Sequence, residues 1–137
     1  MKEGFVVVKE LAIESNFDEI NRVEALVTES CGSLGISDDA YGNVLIAVTE
    51  AVNNAIEHGN RRSTELLVSV LLGDNPHEFC YAVKDQGLGF DYANLPDPTA
   101  PENMLKENGR GVFLMKSLAD EVVFEHGGSH VYIYFKK

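Results

Sequence analysis

The spacing of apolar residues changes along the chain, and these changes predict the order of its helices and strands. Residues 5–13 carry β-branched side chains in loose alternation with polar ones, a pattern typical of a strand. A helix is expected to follow from about residue 18 to residue 31. Between residues 39 and 57, apolar residues recur at helical spacing and predict a second, longer helix.

Polar residues and glycines mark the expected ends of these two helices. Asn16 followed by Glu19 has the pattern of a capping box and predicts where the first helix begins. Gly32 and Gly35 are expected to end that helix. Ser37 stands directly before two aspartates and is expected to cap the second helix.

The second half of the chain contains short strand-like runs and one further helix. The predicted strands are residues 65–72, 78–84, 122–125 and 130–135, and the predicted helix is residues 111–119. The last two strands are expected to form a hairpin that turns at Gly127-Gly128. Residues 90–108, which follow the segment 85–89, include three prolines and show little periodicity, and loops of such length are often functional lids.

Three helices and about five strands that occur in runs predict an α+β fold. We expect a two-layer α/β sandwich with about three helices on one face of a mixed, mostly antiparallel sheet. No repeat or linker divides the sequence, so residues 1–137 are expected to form a single domain. With 137 residues and 45% hydrophobic content, the chain has enough apolar material for a core.

Composition also limits the compartment and the classes of partner. No apolar run is long enough to span a bilayer, and residues 1–9 lack the features of a signal peptide. Cys31 and Cys80 lie in apolar surroundings, which predicts two buried free thiols. We therefore expect a cytoplasmic protein. The net charge is −11, without a basic stripe beyond Arg61-Arg62, which makes nucleic acid and anionic membranes poor partners. An acidic surface also repels ATP, so a nucleotide site would depend on a metal ion, backbone N–H groups and a few local cations.

Three segments could carry chemistry, and the first lies on the second predicted helix. Glu50 and Asn54 are four residues apart and point from one face, which Glu57 and His58 extend. An asparagine oxygen is a suitable Mg²⁺ ligand, and a neighbouring glutamate could take a proton from an attacking hydroxyl or water. The alternative is an ordinary amphipathic helix with a polar outer face.

The second segment, Asp85-x-Gly87-x-Gly89, directly follows a predicted strand. Glycines there would permit positive φ and a close approach of the backbone to a flat ligand. The carboxylate at the strand end could accept a hydrogen bond from the exocyclic amine of adenine, an interaction worth about 1.5–3 kcal/mol. The alternative is a tight turn.

The third segment, Gly109-Arg110-Gly111, stands immediately before the third predicted helix. Glycines that open a helix leave unpaired N–H groups facing outward, which suits a phosphate. Lys106 and Arg110 could add positive charge. The alternative is a plain junction between a loop and a helix.

In combination, the order and spacing of the three segments resemble the GHKL ATPases, which have a Bergerat-type ATP-binding fold. Over essentially all 137 residues, the chain is similar to the anti-sigma factor serine/threonine kinases of that superfamily. The similarity is most evident in residues 50–59, EAVNNAIEHG, and in residues 109–122, GRGVFLMKSLADEV.

The resemblance implies a role for each of these residues. Asn54 would hold the Mg²⁺ that bridges the phosphates of ATP, and Glu50 would be the catalytic base. Asp85 would bind adenine, in a pocket that Gly87 and Gly89 shape. The phosphates would lie at the start of the third helix, beside Gly109 and Gly111, with residues 96–108 as the lid.

The reaction implied by the resemblance is transfer of the γ-phosphoryl group of ATP to a serine or threonine of an anti-anti-sigma (STAS-type) partner. Phosphorylation would alter the charge of the partner where it docks and so free this protein to hold a sigma factor. The family is commonly dimeric, so a homodimer is a further expectation. Asn108 departs from those relatives that have a basic residue before the first glycine. Two alternatives remain: an ATP-dependent binding switch without catalysis, and the detached catalytic domain of a histidine kinase.

Overall fold

The computed structural model describes residues 1–87 and 110–137, and its elements follow the predicted order. The strands are β1 (Val6–Glu14), β2 (Leu67–Asp74), β3 (Glu78–Lys84), β4 (Glu121–Glu125) and β5 (His130–Lys136). The helices are α1 (Ile20–Leu34), α2 (Asp38–Asn54) and α3 (Arg110–Leu118). Each predicted element is present, with small differences at its ends.

The five strands form one sheet in the order β1-β2-β3-β5-β4. All four strand pairs in the described part of the chain are antiparallel, as was expected for most of them. This order places β3 at the centre of the sheet with β5 as its neighbour. The residue that follows β3, Asp85, therefore lies beside the turn that leads into β5, and its N–H donates to the Ser129 carbonyl at 2.9 Å.

Helix α2 supplies much of the apolar surface that covers the sheet. Its buried residues recur at intervals of three or four, at positions Val44, Ala47, Val48, Ala51 and Val52. They belong to one core cluster with alternate residues of the strands, including Val70, Tyr81, Val83 and Ile133. The predicted α+β sandwich is confirmed. Because one stripe of α2 is fixed in the core, Glu50 and Asn54 are held outside it, and both are half-buried.

The ends of α1 differ from the predicted ones. Asn16 caps a short 3-10 turn, Phe17–Glu19, by accepting from the Asp18 N–H, and the Glu19 side chain pairs with Arg22 instead of completing a capping box. Gly32 lies inside the helix. The helix ends at Gly35, whose φ of 68° lets the N–H of Ile36 reach the Cys31 carbonyl at 2.9 Å.

After Asn54, α2 continues as a wider π-helical turn, Ala55–Gly59. The N–H of Asn60 donates to the Ala55 carbonyl and that of Arg62 to the Ile56 carbonyl, both at 2.7 Å. Arg61 and Arg62 then have positive φ values of 52° and 60°. π-helical turns like Ala55–Gly59 occur frequently at functional sites.

The cysteines and the lengths of the helices bear on two predictions made from composition. Cys31 and Cys80 are buried free thiols, as predicted. Within residues 1–87 and 110–137, there is no helix with the length and hydropathy that crossing a membrane would require.

Candidate functional site

Two adjoining cavities lie where α2 and α3 meet the central strands. We call the first the inner pocket; its walls include Ala51, Val83, Met115 and Val131, with Asp85 and Ser129 as polar members. We call the second the outer cavity; it is lined by Glu50, Asn53, Glu57, His58, Arg110 and Gly111, together with Phe17 and Arg62. Asn54 lines both. The volume of the outer cavity, about 400 Å³, lies within the range of small-molecule sites.

Asp85 is the carboxylate of the inner pocket. It is 8% exposed, and its Oδ1 accepts from the N–H of Gly87 at 2.8 Å. Burial raises the pKa of Asp85, and the hydrogen bond from Gly87 opposes that rise. A buried carboxylate among apolar walls is suited to accept a hydrogen bond from a flat, mostly apolar ligand.

Two glycines are packed so tightly around Asp85 that neither has room for a side chain. A Cβ at Gly59 would lie 2.2 Å from Asp85 Oδ2, and a Cβ at Gly87 would lie 1.9 Å from the Gly59 carbonyl oxygen. The expected close approach at Gly87 is therefore present, but it is an approach to Gly59. Gly87 does not use the positive φ that a glycine there would permit, since among the described glycines only Gly4, Gly35, Gly127 and Gly128 have one.

Asn60, which was not among the predicted site residues, links the residue that follows Asp85 to the segments around Ser15 and Leu67. Its side chain is buried, and its Nδ2 donates to Ser15 Oγ at 2.8 Å and to the Leu67 carbonyl at 3.0 Å. Its Oδ1 accepts from the N–H of Gln86 at 2.8 Å. The Gln86 side chain in turn accepts from the Leu67 N–H at 2.6 Å. These bonds hold Gly59, Asp85 and the start of β2 in one arrangement.

Glu50 and Asn54 share one face of α2, as predicted, and the first turn of α3 lies against them. A Cβ at Gly111 would be 2.9 Å from Glu50 Oε2 and 3.2 Å from Asn54 Nδ2. Burial raises the pKa of Glu50, and the nearby Arg110 guanidinium opposes that rise. The structure thus brings Glu50, Asn54, Arg110 and Gly111 together. Gly89, Lys106, Gly109, Asn108 and the predicted lid at 96–108 lie outside the described residues.

The far wall of the outer cavity consists of residues to which the sequence analysis gave no role. The Arg62 side chain forms an ion pair with Glu57, and its guanidinium carbon lies 5.3 Å from the centre of the Phe17 ring. Asn53 also lines the cavity. Sequence spacing could not reveal this wall, because Phe17 and Arg62 belong to segments that only the fold brings together.

Metal binding at this site would depend on few protein ligands. Among residues 1–87 and 110–137, no group of three or more His, Cys, Asp or Glu side chains is arranged to hold a metal ion. The Asn54 amide oxygen beside Glu50 remains as a suitable donor for Mg²⁺, which commonly takes one or two protein oxygens and completes its shell with water and phosphate.

With the geometry described, comparison with known proteins identifies the class of protein. Residues 13–135 match the model of the histidine kinase-like ATPase domain family. The chain belongs to this family. Membership implies use of ATP and agrees with the helix-on-sheet architecture seen here.

Individual relatives are more distant. The chain is 28% identical over 127 residues to the serine-protein kinase RsbW of Staphylococcus epidermidis, covering 87% of this chain and 80% of that protein. It is 27% identical over 135 residues to RsbW of Staphylococcus aureus, covering 93% and 83% of the two chains. A crystal structure of the RsbU and RsbW domains of a Mycobacterium tuberculosis protein shares the fold, with a TM-score of 0.55 and 17% identity over 94% of this chain and 32% of the other.

Proposed function

We propose that this chain, as a single ATPase domain over residues 1–137, is a protein serine/threonine kinase that also acts as an anti-sigma factor. It binds Mg·ATP, transfers the γ-phosphoryl group to a serine or threonine of an anti-anti-sigma partner, and sequesters a sigma factor. One observation carries the proposal: a buried carboxylate in an apolar pocket adjoins a charged cavity in which Glu50 and Asn54 lie against the start of α3.

In this proposal, adenine binds in the inner pocket against Asp85, and because the volume of that pocket is about 10 Å³, room for no more than a water molecule, its walls must move apart when the base enters. The side chains of Val83, Met115 and Val131 offer apolar contacts to the faces and edges of the base. The ionised Asp85 accepts a hydrogen bond from the exocyclic amine, which is worth about 1.5–3 kcal/mol. A base with a carbonyl oxygen at that position would place an acceptor against the carboxylate, so the site should select adenine over guanine.

The phosphates extend from the inner pocket into the outer cavity. Gly111, in the first turn of the nine-residue helix α3, lines this cavity, and the N–H groups of a helix's first turn have no carbonyl partner within the helix and suit a phosphate. Arg110 adds positive charge at the same place. We expect Gly109 to contribute to the phosphate region and Gly89 to the base pocket, as the resemblance implies, and Lys106 to add positive charge near the phosphates.

Asn54 is the proposed Mg²⁺ ligand. Its side chain lines both cavities and therefore lies where the base and phosphate regions meet. When bound, Mg²⁺ neutralises the charge of the phosphate oxygens and fixes their orientation. Asn54 supplies one neutral oxygen for that purpose, without adding to the negative charge of the chain.

Glu50 is the proposed catalytic base. Partial burial raises its pKa, which makes its carboxylate a better proton acceptor than an exposed glutamate. It would take the proton from the partner's hydroxyl as that oxygen bonds to the γ-phosphorus and ADP leaves. The remaining contribution of the protein to phosphoryl transfer is positioning and charge stabilisation.

The partner assignment rests on the resemblance and on the names of the relatives. Phosphorylation adds about 1.5–2 negative charges to the partner at neutral pH. The net charge of this chain is −11, so a phosphorylated partner would be repelled and released, leaving the surface available to a sigma factor. The family resemblance also leads us to expect a homodimer and a cytoplasmic location.

A transfer assay with a matched variant tests the proposal. The purified protein is incubated with γ-labelled ATP, Mg²⁺ and an anti-anti-sigma protein from the same genome. We expect label on a serine or threonine of that protein from the wild type and none from Glu50→Gln, with similar ATP affinity in both. Binding of ATP without transfer by the wild type would favour a non-catalytic ATP-dependent switch instead.

A further inference from the structure

A small cluster at the edge of the outer cavity is not explained by the motifs. It consists of Phe17, Glu57 and Arg62, and we call it the rim cluster. The guanidinium of Arg62 is held between the carboxylate of Glu57 and the ring of Phe17, at 5.3 Å from the ring centre. All three side chains line the same cavity as Glu50 and Asn54.

The backbone of Arg62 is in an unfavourable conformation that places it in this wall. Both Arg61 and Arg62 have left-handed φ values, which side chains with a Cβ rarely adopt. The conformation is held by the N–H of Arg62 on the Ile56 carbonyl and by the buried Asn60. Strain of this kind persists where the surrounding structure enforces it and is concentrated at functional sites.

The positions of the two arginines in the outer cavity indicate which class of ligand Arg62 would bind. Of the described residues that line it, two are arginines, Arg62 and Arg110, and two are glutamates, Glu50 and Glu57. Arg110 stands at the start of α3, whereas Arg62 belongs to the segment after α2. An anion that enters beside Arg110 would therefore have a second cation on a separate wall.

The ion pair with Glu57 does not prevent Arg62 from binding an anion. Both side chains are substantially exposed, and exposed pairs contribute little to stability, so the guanidinium can exchange one partner for another at small cost. A tetrahedral phosphate group offers pairs of charged oxygens, to which a planar guanidinium group can donate two parallel hydrogen bonds.

We propose that Arg62 binds the terminal phosphate of ATP, with Phe17 and Glu57 holding its guanidinium at the cavity before the nucleotide enters. This assignment rests on the proposed function. It makes Arg62 a determinant of the preference for a nucleoside triphosphate over a diphosphate, because only the triphosphate has the terminal phosphate that Arg62 would bind.

The test compares the affinities for Mg·ATP and Mg·ADP by calorimetric titration of the wild type, Arg62→Ala and Arg61→Ala. For Arg62→Ala we expect the Kd for ATP to rise about tenfold, as for loss of one hydrogen bond to a charged group, and the Kd for ADP to change less than about twofold. Arg61→Ala is the matched control, since Arg61 has the same charge and the same backbone conformation but does not line the cavity. It should leave both affinities unchanged.

A second variant separates binding from folding. Arg62→Gly removes the same guanidinium, while glycine adopts a φ of 60° without strain, so the variant should melt no earlier than the wild type and still lose ATP affinity selectively. Equal losses for ATP and ADP, or no loss for either, would overturn the assignment of Arg62 while leaving the proposed function in place. Loss of partner phosphorylation with both affinities intact would also overturn it and would indicate that the rim cluster docks the partner. Failure of the wild type to bind either nucleotide would overturn the proposed function, and the assignment with it.

Discussion

The inner pocket and the outer cavity are adjacent but are built in different ways. The walls of the inner pocket are apolar side chains from α2, β3, α3 and β5, and Asp85 is fixed there by hydrogen bonds and by the close approach of two glycines. The outer cavity is lined mainly by polar and charged side chains, and its rim is held by an exposed ion pair.

Recognition in the inner pocket therefore depends on packing, and recognition in the outer cavity does not. Shape and burial would determine base recognition in the inner pocket, where a change of one methyl group has a large effect. Charges that can exchange partners would handle the phosphates in the outer cavity. We therefore expect substitutions in the inner pocket to change stability and binding together, and substitutions in the outer cavity to change chemistry with little change in stability.

The largest expected effect is on phosphoryl transfer by Glu50→Gln. Loss of a general base should lower the transfer rate about 10²- to 10⁴-fold, with ATP affinity changed less than about threefold and the fold intact. The measurement is the initial rate of partner phosphorylation beside a titration with Mg·ATP. Glu24→Gln, an equal change of charge at an exposed position of α1, is the control and should transfer at the wild-type rate. A Glu50→Gln protein with full activity would show that the outer cavity does not contain the base.

A smaller effect is expected from Gly59→Ala, which adds a methyl group against Asp85, the carboxylate of the inner pocket. The new Cβ would lie 2.2 Å from Asp85 Oδ2, so one of the two groups must move. Overpacking of this kind should lower the free energy of unfolding by about 1–3 kcal/mol and should weaken ATP binding as well. Urea denaturation measures the first effect and calorimetry the second.

Gly42→Ala provides the matched control for that experiment. Gly42 lies in α2, whereas Gly59 ends the π-helical turn that follows it, and a Cβ at Gly42 would have no atom within 4 Å beyond the adjoining backbone of its own helix. Alanine should therefore raise the free energy of unfolding by about 0.5–1 kcal/mol through its better helix propensity, and ATP affinity should not change. Similar behaviour of the two variants would remove the distinction drawn between the inner pocket and ordinary helix positions.

Relief of backbone strain near the rim should have a still smaller effect. Arg61→Gly replaces a residue whose φ is 52° with one that tolerates that value. We expect the free energy of unfolding to rise by up to about 1 kcal/mol, with no change in ATP affinity. A loss of stability in urea denaturation would mean that the Arg61 side chain makes contacts that outweigh its strain.

Replacement of the buried carboxylate should change the pH dependence of stability. Burial raises the pKa of Asp85 in the folded state, so the folded protein binds the proton more readily than the unfolded chain does. The contribution of Asp85 to the free energy of unfolding therefore falls as pH rises above 3.8, the usual pKa of an aspartate. Asp85→Asn removes this contribution, so the variant should be more stable than the wild type at neutral pH, with a smaller advantage near pH 4. Paired urea denaturations at the two pH values measure this, and a less stable variant at neutral pH would contradict it.

Most elements of the fold could be predicted from the sequence because their signals are local. The apolar run within residues 78–84 predicts a strand, and β3 lies there with five consecutive buried residues. The helical spacing of Val44, Val48 and Val52 predicts a helix, and α2 buries all three. The end of α1 was harder to predict, because Gly32 and Gly35 are both acceptable stops. Only the backbone conformation of Gly35 distinguishes them.

The candidate site was predictable to the extent that its residues lie in short motifs. Glu50 and Asn54 share a helix, and the structure brings them to Gly111. The contact between Gly59 and Asp85 joins segments that are distant in sequence, and so does the contact of Phe17 with Arg62. Spacing carries no signal for such pairs, since they depend on how the sheet and helices pack.

The most direct test of the central claim is a calorimetric titration of the wild type and Asp85→Asn with Mg·ATP and with Mg·GTP. The account predicts that the wild type binds ATP at least about tenfold more tightly than GTP, since the hydrogen bond from adenine to an ionised group is worth about 1.5–3 kcal/mol, and that Asp85→Asn loses this preference while remaining folded. Equal affinities for the two nucleotides in the wild type, or full ATP affinity in Asp85→Asn, would contradict the claim that the inner pocket is an adenine site.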